Sequence, residues 1–217
     1  MKKLAIFDFD GTLADSMEIW QRACSMLLKN EGIDPPAGID ELLLPMSVTQ
    51  TCQYLVDHFL PHITLQEMLQ KTDDIIFDWY STQIVLKPGA AAYLQALKEA
   101  GVKLCILSST QRPHLLRATE RLGINHYFEY IWGGTDSPVG KDDPSVFGWA
   151  ADHFGLTCAD CVVFEDSLYA IKSAKTAGCK TAAIDDLWTR KDKAEIMALA
   201  DVYMENFDPD QALDAVN

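Results

Sequence analysis

An apolar run near the N-terminus that stops at two aspartates constrains the fold more than any other feature of this sequence. The run ends at Phe7 and is followed by Asp8, Asp10 and the pair Gly11-Thr12, which predicts a buried strand that enters a tight loop. Because alternate residues of a strand share a face, both carboxylates leave it on the same side. Carboxylates held this close at a buried strand end repel each other, so a divalent cation between them is favoured. A solvated, aspartate-rich turn is the simpler interpretation of this spacing alone, and the other motifs must decide.

Length and charge limit the partners of this chain. A chain of 217 residues with 48% hydrophobic content can form one α/β domain with a smaller insertion. The formal net charge of −14 argues against a surface for nucleic acid or anionic membranes, which need basic patches. No stretch of about 18 apolar residues is present to span a membrane, and Asp8 interrupts the first apolar run too early for a signal peptide. Six scattered cysteines indicate no disulfide framework, so we expect a cytoplasmic protein with reduced thiols.

The pattern of apolar residues predicts two parts. Residues 16–83 show helical spacing throughout, and this stretch is too long for an ordinary strand-to-helix connection of about 2–6 residues. From Lys87-Pro88-Gly89 onward, helices and strands alternate, which indicates a parallel sheet covered on both faces. We therefore predict an α/β fold: residues 1–15 and 84–217 form a Rossmann-like, doubly wound parallel sheet core. Residues 16–83 form an all-helical cap domain inserted after the first strand.

Individual elements follow from the same periodicity. The predicted helices cover residues 17–30, 39–44, 64–80, 90–99, 112–122, 143–154, 167–177 and 193–199, with one more that begins at Ser47 or Thr49. The predicted strands after the first cover residues 102–107, 130–132, 161–164, 180–184 and 201–204. Because the strands are parallel, we expect the active crevice at their carboxyl ends.

The first motif resembles a known family. The stretch is Asp8-Phe9-Asp10-Gly11-Thr12-Leu13, and it is similar to the DxDGT(L/V) signature of the haloacid dehalogenase superfamily. Most members are magnesium-dependent phosphatases that act through an aspartyl-phosphate. The resemblance implies that Asp8 is the nucleophile and that Asp10 is the general acid and base. The chemistry of the residues agrees, because a carboxylate can accept a phosphoryl group and a neighbouring acid can serve the leaving group.

Two further motifs match the positions that the resemblance requires. An apolar strand ends at Ser108-Ser109, where the superfamily places phosphate-binding residues, although a helix cap is the alternative for a serine before a helix. The resemblance implies that Thr12 also binds the phosphate.

Gly140-Lys141 resembles the third motif, in which the lysine neutralises charge between nucleophile and phosphoryl group. A lone lysine in a loop is ordinarily solvated. Asp142 replaces the usual proline there, which leaves the loop conformation open.

The fourth motif supplies the remaining acids. Glu165-Asp166-Ser167 follows an apolar strand and resembles the Glu-Asp-Ser form of this motif, whereas a solvated turn is the alternative. Some relatives carry a second aspartate four residues after the first, but Ala170 occupies that position here. The resemblance implies that Mg²⁺ is bound by Asp8, the backbone carbonyl of Asp10 and Asp166. Glu165 would bind it directly or hold a ligand water.

Together these motifs identify the chain as similar to the β-phosphoglucomutase and phosphoglycolate phosphatase-like group with a helical cap. The resemblance implies a magnesium-dependent phosphatase for a small phosphorylated metabolite, such as a sugar phosphate or phosphoglycolate. A phosphosugar mutase is the first alternative, and a catalytically silent relative that binds a phosphorylated ligand is the second. The mutases carry a hinge histidine and a cap arginine, where this chain has Trp20 and Val48, so hydrolysis is favoured. We expect no nucleic-acid or membrane partner, and we favour a monomer.

Overall fold

The computed structural model describes residues 1–43 and 46–217; Leu44 and Pro45, which include the end of the helix predicted over 39–44, lie outside the described residues. The chain divides into two compact units. The larger unit contains residues 1–15 and 84–217, and the smaller contains residues 16–83. These are the same bounds as the predicted core and cap. That they act as a catalytic domain and a cap stays a prediction.

Strands and helices alternate along the larger unit. The strands are β1 (Leu4–Phe7), β2 (Ala14–Asp15), β3 (Val85–Leu86), β4 (Lys103–Leu107), β5 (Tyr130–Trp132), β6 (Cys161–Glu165), β7 (Lys180–Ile184) and β8 (Val202–Met204). The helices of the whole chain are α1 (Met17–Gln21), α2 (Ala23–Asn30), α3 (Ile39–Leu43), α4 (Val48–Phe59), α5 (Leu65–Thr82), α6 (Ala90–Glu99), α7 (Arg112–Arg121), α8 (Ser145–His153), α9 (Leu168–Ala177), α10 (Lys193–Leu199) and α11 (Ala212–Val216).

Among the described residues, one sheet has the order β5-β4-β1-β6-β7-β8, and each neighbouring pair is parallel. The predicted α/β fold with a parallel sheet is therefore confirmed. β1 lies between β4 and β6, so the loops that follow these three strands leave the same edge of the sheet side by side. The sequence pattern missed β2 and β3, which pair antiparallel through two residues each, because so short a strand has no measurable periodicity.

The core of the larger unit holds these central strands in register. Leu4 and Ile6 of β1 pack with Val163 of β6 and Phe147 of α8 in one buried cluster. On the other side of the sheet, the ring of Phe7 stacks on Phe164 with 4.2 Å between centroids. Burial of each large apolar side chain contributes about 1.5–3 kcal/mol, so the strand ends that carry the aspartates are among the best anchored parts of the unit.

Among the described residues of the smaller unit, the regular secondary structure consists of helices α1 to α5. Its core is a buried cluster that includes Leu28, Leu55 and Met68. The sequence signals for helix starts agree with the structure here. Ser47 forms a capping box at the start of α4, and Thr64 forms one at the start of α5. The helix predicted over 17–30 is interrupted between α1 and α2. Within the described residues, none of the helices has both the length and the apolar character that crossing a membrane requires.

Candidate active site

Three carboxylates meet where two neighbouring strands end. Asp8 follows β1 directly, and its backbone N–H donates to the carbonyl of Phe164 in β6 at 2.9 Å. Glu165 is the last residue of β6, and Asp166 follows it. One carboxylate oxygen from each of Asp8, Glu165 and Asp166 lies within 4.8 Å of the others, and all three residues are buried. Adjacent parallel strands therefore bring together acids that are far apart in sequence.

Lys141 neutralises part of this charge. Its Nζ donates to Oδ1 of Asp8 and to Oε1 of Glu165, at 2.5 Å in each case. The lysine is only 7% exposed, so its ammonium is removed from water together with its two partners. A buried ammonium is tolerated only when it is paired, and here both acids serve that purpose. The sequence-predicted Asp8 and Lys141 are thus in direct contact.

Glu165 is held by more than the lysine. Its second oxygen, Oε2, accepts hydrogen bonds from the backbone N–H of Asp166 at 2.9 Å and of Ser167 at 2.8 Å. The Ser167 hydroxyl donates to the same oxygen at 2.7 Å. Each oxygen of Glu165 therefore has protein donors, and the carboxylate is oriented towards Lys141.

The charges of this group shift its protonation equilibria. Burial raises the pKa of Asp8 to about 7, despite the opposing effect of Lys141. Burial likewise holds the pKa of Asp166 well above its usual range, and the neighbouring acids Glu165 and Asp8 add to the shift. Burial by itself would lower the pKa of Lys141, but the carboxylates of Asp8 and Glu165 outweigh it and raise this pKa well above its ordinary value. Both aspartate shifts thus reflect the cost of holding several carboxylates together in a buried place with one ammonium.

The turn of the first motif contacts the fourth motif. Gly11 has a φ of +79°, and a Cβ at this position would lie 2.7 Å from Oδ2 of Asp166. Only glycine combines this backbone conformation with so close an approach. The Thr12 hydroxyl donates to Oδ1 of Asp166 at 3.3 Å. The Gly-Thr pair therefore sets the distance between the first aspartate loop and Asp166.

The serines of the second motif lie in the loop after β4, next to β1. Oγ of Ser108 accepts a hydrogen bond from the backbone N–H of Thr110 at 3.1 Å, a contact that does not use the serine hydroxyl hydrogen. Ser109 follows Ser108 directly in this loop. The Thr110 hydroxyl donates to Oδ2 of Asp10 at 2.7 Å. Sequence reasoning missed Thr110, because no local pattern distinguishes it from an ordinary helix-flanking residue.

The acidic cluster fits a hard divalent cation. It offers only oxygen ligands, it is buried, and it has three carboxylates against one ammonium. Mg²⁺ and Ca²⁺ prefer such oxygen donors, and a cation here would offset the excess negative charge. The part of the predicted site formed by Asp8, Lys141, Glu165, Asp166 and Thr12 is thus a single contact network that could hold a metal ion.

Comparisons with known proteins place this arrangement in context. The sequence matches the family described as haloacid dehalogenase-like hydrolase over residues 5–184. It is 25% identical over 217 residues to a probable pseudouridine-5'-phosphatase of Drosophila melanogaster, covering 95% of this chain and 91% of that protein. It is 27% identical over 224 residues to a phosphoglycolate phosphatase of Neisseria gonorrhoeae, covering 96% of this chain and 94% of that protein.

A solved structure shares the fold over the full length. The structure of CbbY from Rhodobacter sphaeroides in complex with phosphate has a TM-score of 0.81 to this chain at 22% identity. The match covers 100% of this chain and 99% of that one. At this level of identity the likeness shows a common fold.

Proposed function

The chain belongs to the haloacid dehalogenase-like hydrolase family, and on that premise we propose that it is a magnesium-dependent phosphatase acting through an aspartyl-phosphate. Its substrate would be a small phosphomonoester, a sugar phosphate or a phosphoglycolate-like compound. The observation that carries the proposal is the buried contact of Asp8 with Lys141, because an oriented carboxylate next to a fixed cation suits attack on an anionic phosphoryl group. The phosphatase names of the two relatives support the substrate class.

The residues divide the chemistry between them. A carboxylate oxygen of Asp8 forms a bond to phosphorus while the bond to the leaving oxygen breaks, and the Asp10 carboxyl gives its proton to that oxygen. The resulting Asp10 carboxylate then takes a proton from water, whose oxygen bonds to phosphorus as the acyl phosphate breaks. Lys141 offsets phosphoryl charge throughout, and Ser108, Ser109 and Thr12 offer hydrogen bonds to phosphoryl oxygens.

Asp8, Asp166 and the backbone carbonyl of Asp10 would hold the magnesium ion. When bound, the ion would supply positive charge against the phosphoryl oxygens. Glu165 differs from the other acids because Lys141 and three donors from Asp166 and Ser167 already use its two oxygens. We therefore assign Glu165 chiefly to orienting Lys141, with any contact to the metal made through water.

Hydrolysis is favoured over phosphoryl transfer between sugar positions. A mutase must retain a bisphosphate, which calls for a cation to bind the phosphate that is not being transferred. Trp20 and Val48 occupy the positions that we align with the mutase histidine and arginine. The neighbouring Arg22 pairs with Glu18 at 3.0 Å within α1 and its C-terminal flank. Loss of a charge-assisted contact to the second phosphate would weaken bisphosphate binding by about 1.5–3 kcal/mol, which leaves water the better acceptor.

A substrate panel tests this function directly. Phosphate release is measured with phosphoglycolate, hexose and pentose phosphates, pseudouridine 5'-phosphate and p-nitrophenyl phosphate, each with Mg²⁺ or with EDTA. We expect turnover only with Mg²⁺, and a hydroxylamine-sensitive phosphoenzyme in rapid-quench samples of the wild type but not of Asp8→Asn. No turnover of any member would leave the silent, ligand-binding alternative.

A second assay separates hydrolase from mutase. β-Glucose 1-phosphate is supplied with a bisphosphate primer, and glucose 6-phosphate and free phosphate are followed together. Isomerisation faster than phosphate release would reject the hydrolase proposal in favour of the mutase. Location in the cytoplasm and the monomeric state stay predictions, to be checked by fractionation and by light scattering.

A further inference from the structure

The carboxylate of Asp10 is held by a residue outside the four motifs. Oγ1 of Thr110 donates to Oδ2 of Asp10 at 2.7 Å. The two residues are 100 positions apart, yet each lies three residues beyond its strand, and those strands, β1 and β4, are parallel neighbours with Phe7 paired to Ile106. The contact therefore follows from the order of the strands. Its distance is typical of a strong hydroxyl-to-carboxylate hydrogen bond.

Thr110 is itself fixed on both sides of its backbone. Its N–H donates to Oγ of Ser108 at 3.1 Å, and its carbonyl accepts from the N–H of Gly134 at 2.9 Å. The side chain is buried with the residue only 8% exposed. A threonine held in this way has little freedom to turn its hydroxyl away from the acid, because its χ1 is already restricted by the branched Cβ.

Two glycines after β5 make this arrangement possible. A Cβ on Gly133 would lie 2.1 Å from the backbone nitrogen of Arg112 and 2.6 Å from the carbonyl oxygen of Thr110. A Cβ on Gly134 would lie 2.7 Å from the carbonyl oxygen of Ser109. Any larger residue at either position would push the loop after β4 outwards. The glycine pair thus lets that loop pack closely enough to hold Thr110 beside Asp10.

We propose that Thr110 is the positioning residue for Asp10, holding its carboxyl group in the orientation needed to protonate the leaving oxygen. This inference rests on the proposed phosphatase function. With the Thr110 hydroxyl donating to Oδ2, the transferable proton is carried on Oδ1, and it passes to the substrate oxygen as the bond from that oxygen to phosphorus breaks. Thr110 does not touch the phosphoryl group in this role, so its effect is confined to steps in which Asp10 moves a proton.

The leaving group of the substrate distinguishes this role from a structural one. p-Nitrophenolate is a stable anion that leaves without protonation, whereas an alkoxide needs the acid. The value of kcat/KM reports steps up to phosphoenzyme formation, and so it isolates the protonation of the leaving group. We compare p-nitrophenyl phosphate with the alkyl phosphate that the wild type hydrolyses fastest, using Thr110→Val, which keeps the shape but lacks the hydroxyl, and Thr110→Ser, which retains it.

We expect Thr110→Val to lower kcat/KM for the alkyl phosphate by about 10- to 100-fold, a part of the about 10²- to 10⁴-fold that a general acid contributes. The same variant should change kcat/KM for p-nitrophenyl phosphate less than about threefold, and Thr110→Ser should restore the alkyl activity. In an Asp10→Asn background, Thr110→Val should have no further effect on either substrate, because a positioning residue has nothing left to position.

The outcomes separate this inference from the function on which it rests. A wild type without phosphatase activity rejects the proposed function. An active wild type in which Thr110→Val lowers kcat/KM equally for both substrates, or leaves both unchanged, rejects the positioning role alone. An additional loss on top of Asp10→Asn rejects it as well. Thr110→Ala serves as the second variant if Thr110→Val fails to fold. The thermal unfolding transition of each variant is compared with that of the wild type to check that it folds.

Discussion

Replacing Lys141 by methionine should destabilise the protein more than any surface lysine substitution. The change keeps most of the side-chain volume but removes the ammonium that lies 2.5 Å from both Asp8 and Glu165. All three residues are less than 10% exposed, so the acids left behind cannot turn to water. Breaking a buried ion pair from one side costs about 3–5 kcal/mol. For a chain of this size that corresponds to a fall in Tm of about 6–20 °C.

Lys98→Met is the matched control. Lys98 also pairs with a glutamate in the larger unit, Glu129, at 2.6 Å, but the side chains of the pair are 37% and 43% exposed. Exposed pairs of this kind contribute about 0–1 kcal/mol, so the control should lower Tm by no more than about 4 °C. The two variants thus replace the same residue type by the same side chain, and they differ mainly in how buried the ion pair is.

Both variants are unfolded thermally and in urea, first with EDTA and then with Mg²⁺. A divalent cation offsets the charge of the three acids, so Mg²⁺ should recover more stability in Lys141→Met than in Lys98→Met. Equal losses in the two variants with EDTA would refute the reasoning, since burial would then have no effect on the value of the pair. Recovery by Mg²⁺ of the same size in both would show that Lys141 does not affect how tightly the cation binds.

Three further predictions concern single carboxylates. Asp8→Asn should abolish turnover while the chain still unfolds cooperatively, because an amide fills the same space but cannot accept the phosphoryl group; turnover above a small residual rate would contradict this. Asp166→Ala should raise the Mg²⁺ concentration needed for half-maximal activity, whereas Glu165→Gln should mainly lower kcat because Lys141 is no longer held in place. A Mg²⁺ titration in which Glu165→Gln raises that concentration and Asp166→Ala does not would assign metal binding to Glu165 instead. Burial would raise the pKa of Asp185, but hydrogen bonds led by that from Tyr203 hold it at about 2. The ionised Asp185 carboxylate therefore contributes its full stabilisation above its unfolded pKa of about 3.9, and this contribution is lost as pH falls towards 2. In urea unfolding, the free energy of unfolding of Asp185→Asn should be lower than that of the wild type at pH 5, and the difference should narrow as pH falls towards 2.

Much of the fold could be predicted from local sequence. Short apolar runs and helix start signals were sufficient for β5, β7, α6 and α10, which have the predicted bounds, because strand and helix periodicity are properties of consecutive residues. The polar residues at strand ends also identified Asp8, Ser108 and Asp166 as candidates, because apolar runs stop there. Lys141 was identified by its place after Gly140 and before a helix, and the roles of all four stay predictions.

Tertiary structure alone decided which of these groups touch. The sheet order places β1 between β4 and β6, and this order brings Thr110 to Asp10 and Glu165 to Asp8. Thr110 carries no local signal, because its hydrogen bond joins it to a carboxylate 100 positions away. The orientation of Glu165 likewise depends on Lys141, which is 24 positions away in the sequence. Periodicity encodes which face of an element is buried, but the neighbour of that face is chosen by packing of the whole chain, and so the contacts of the site could be found only in the folded structure.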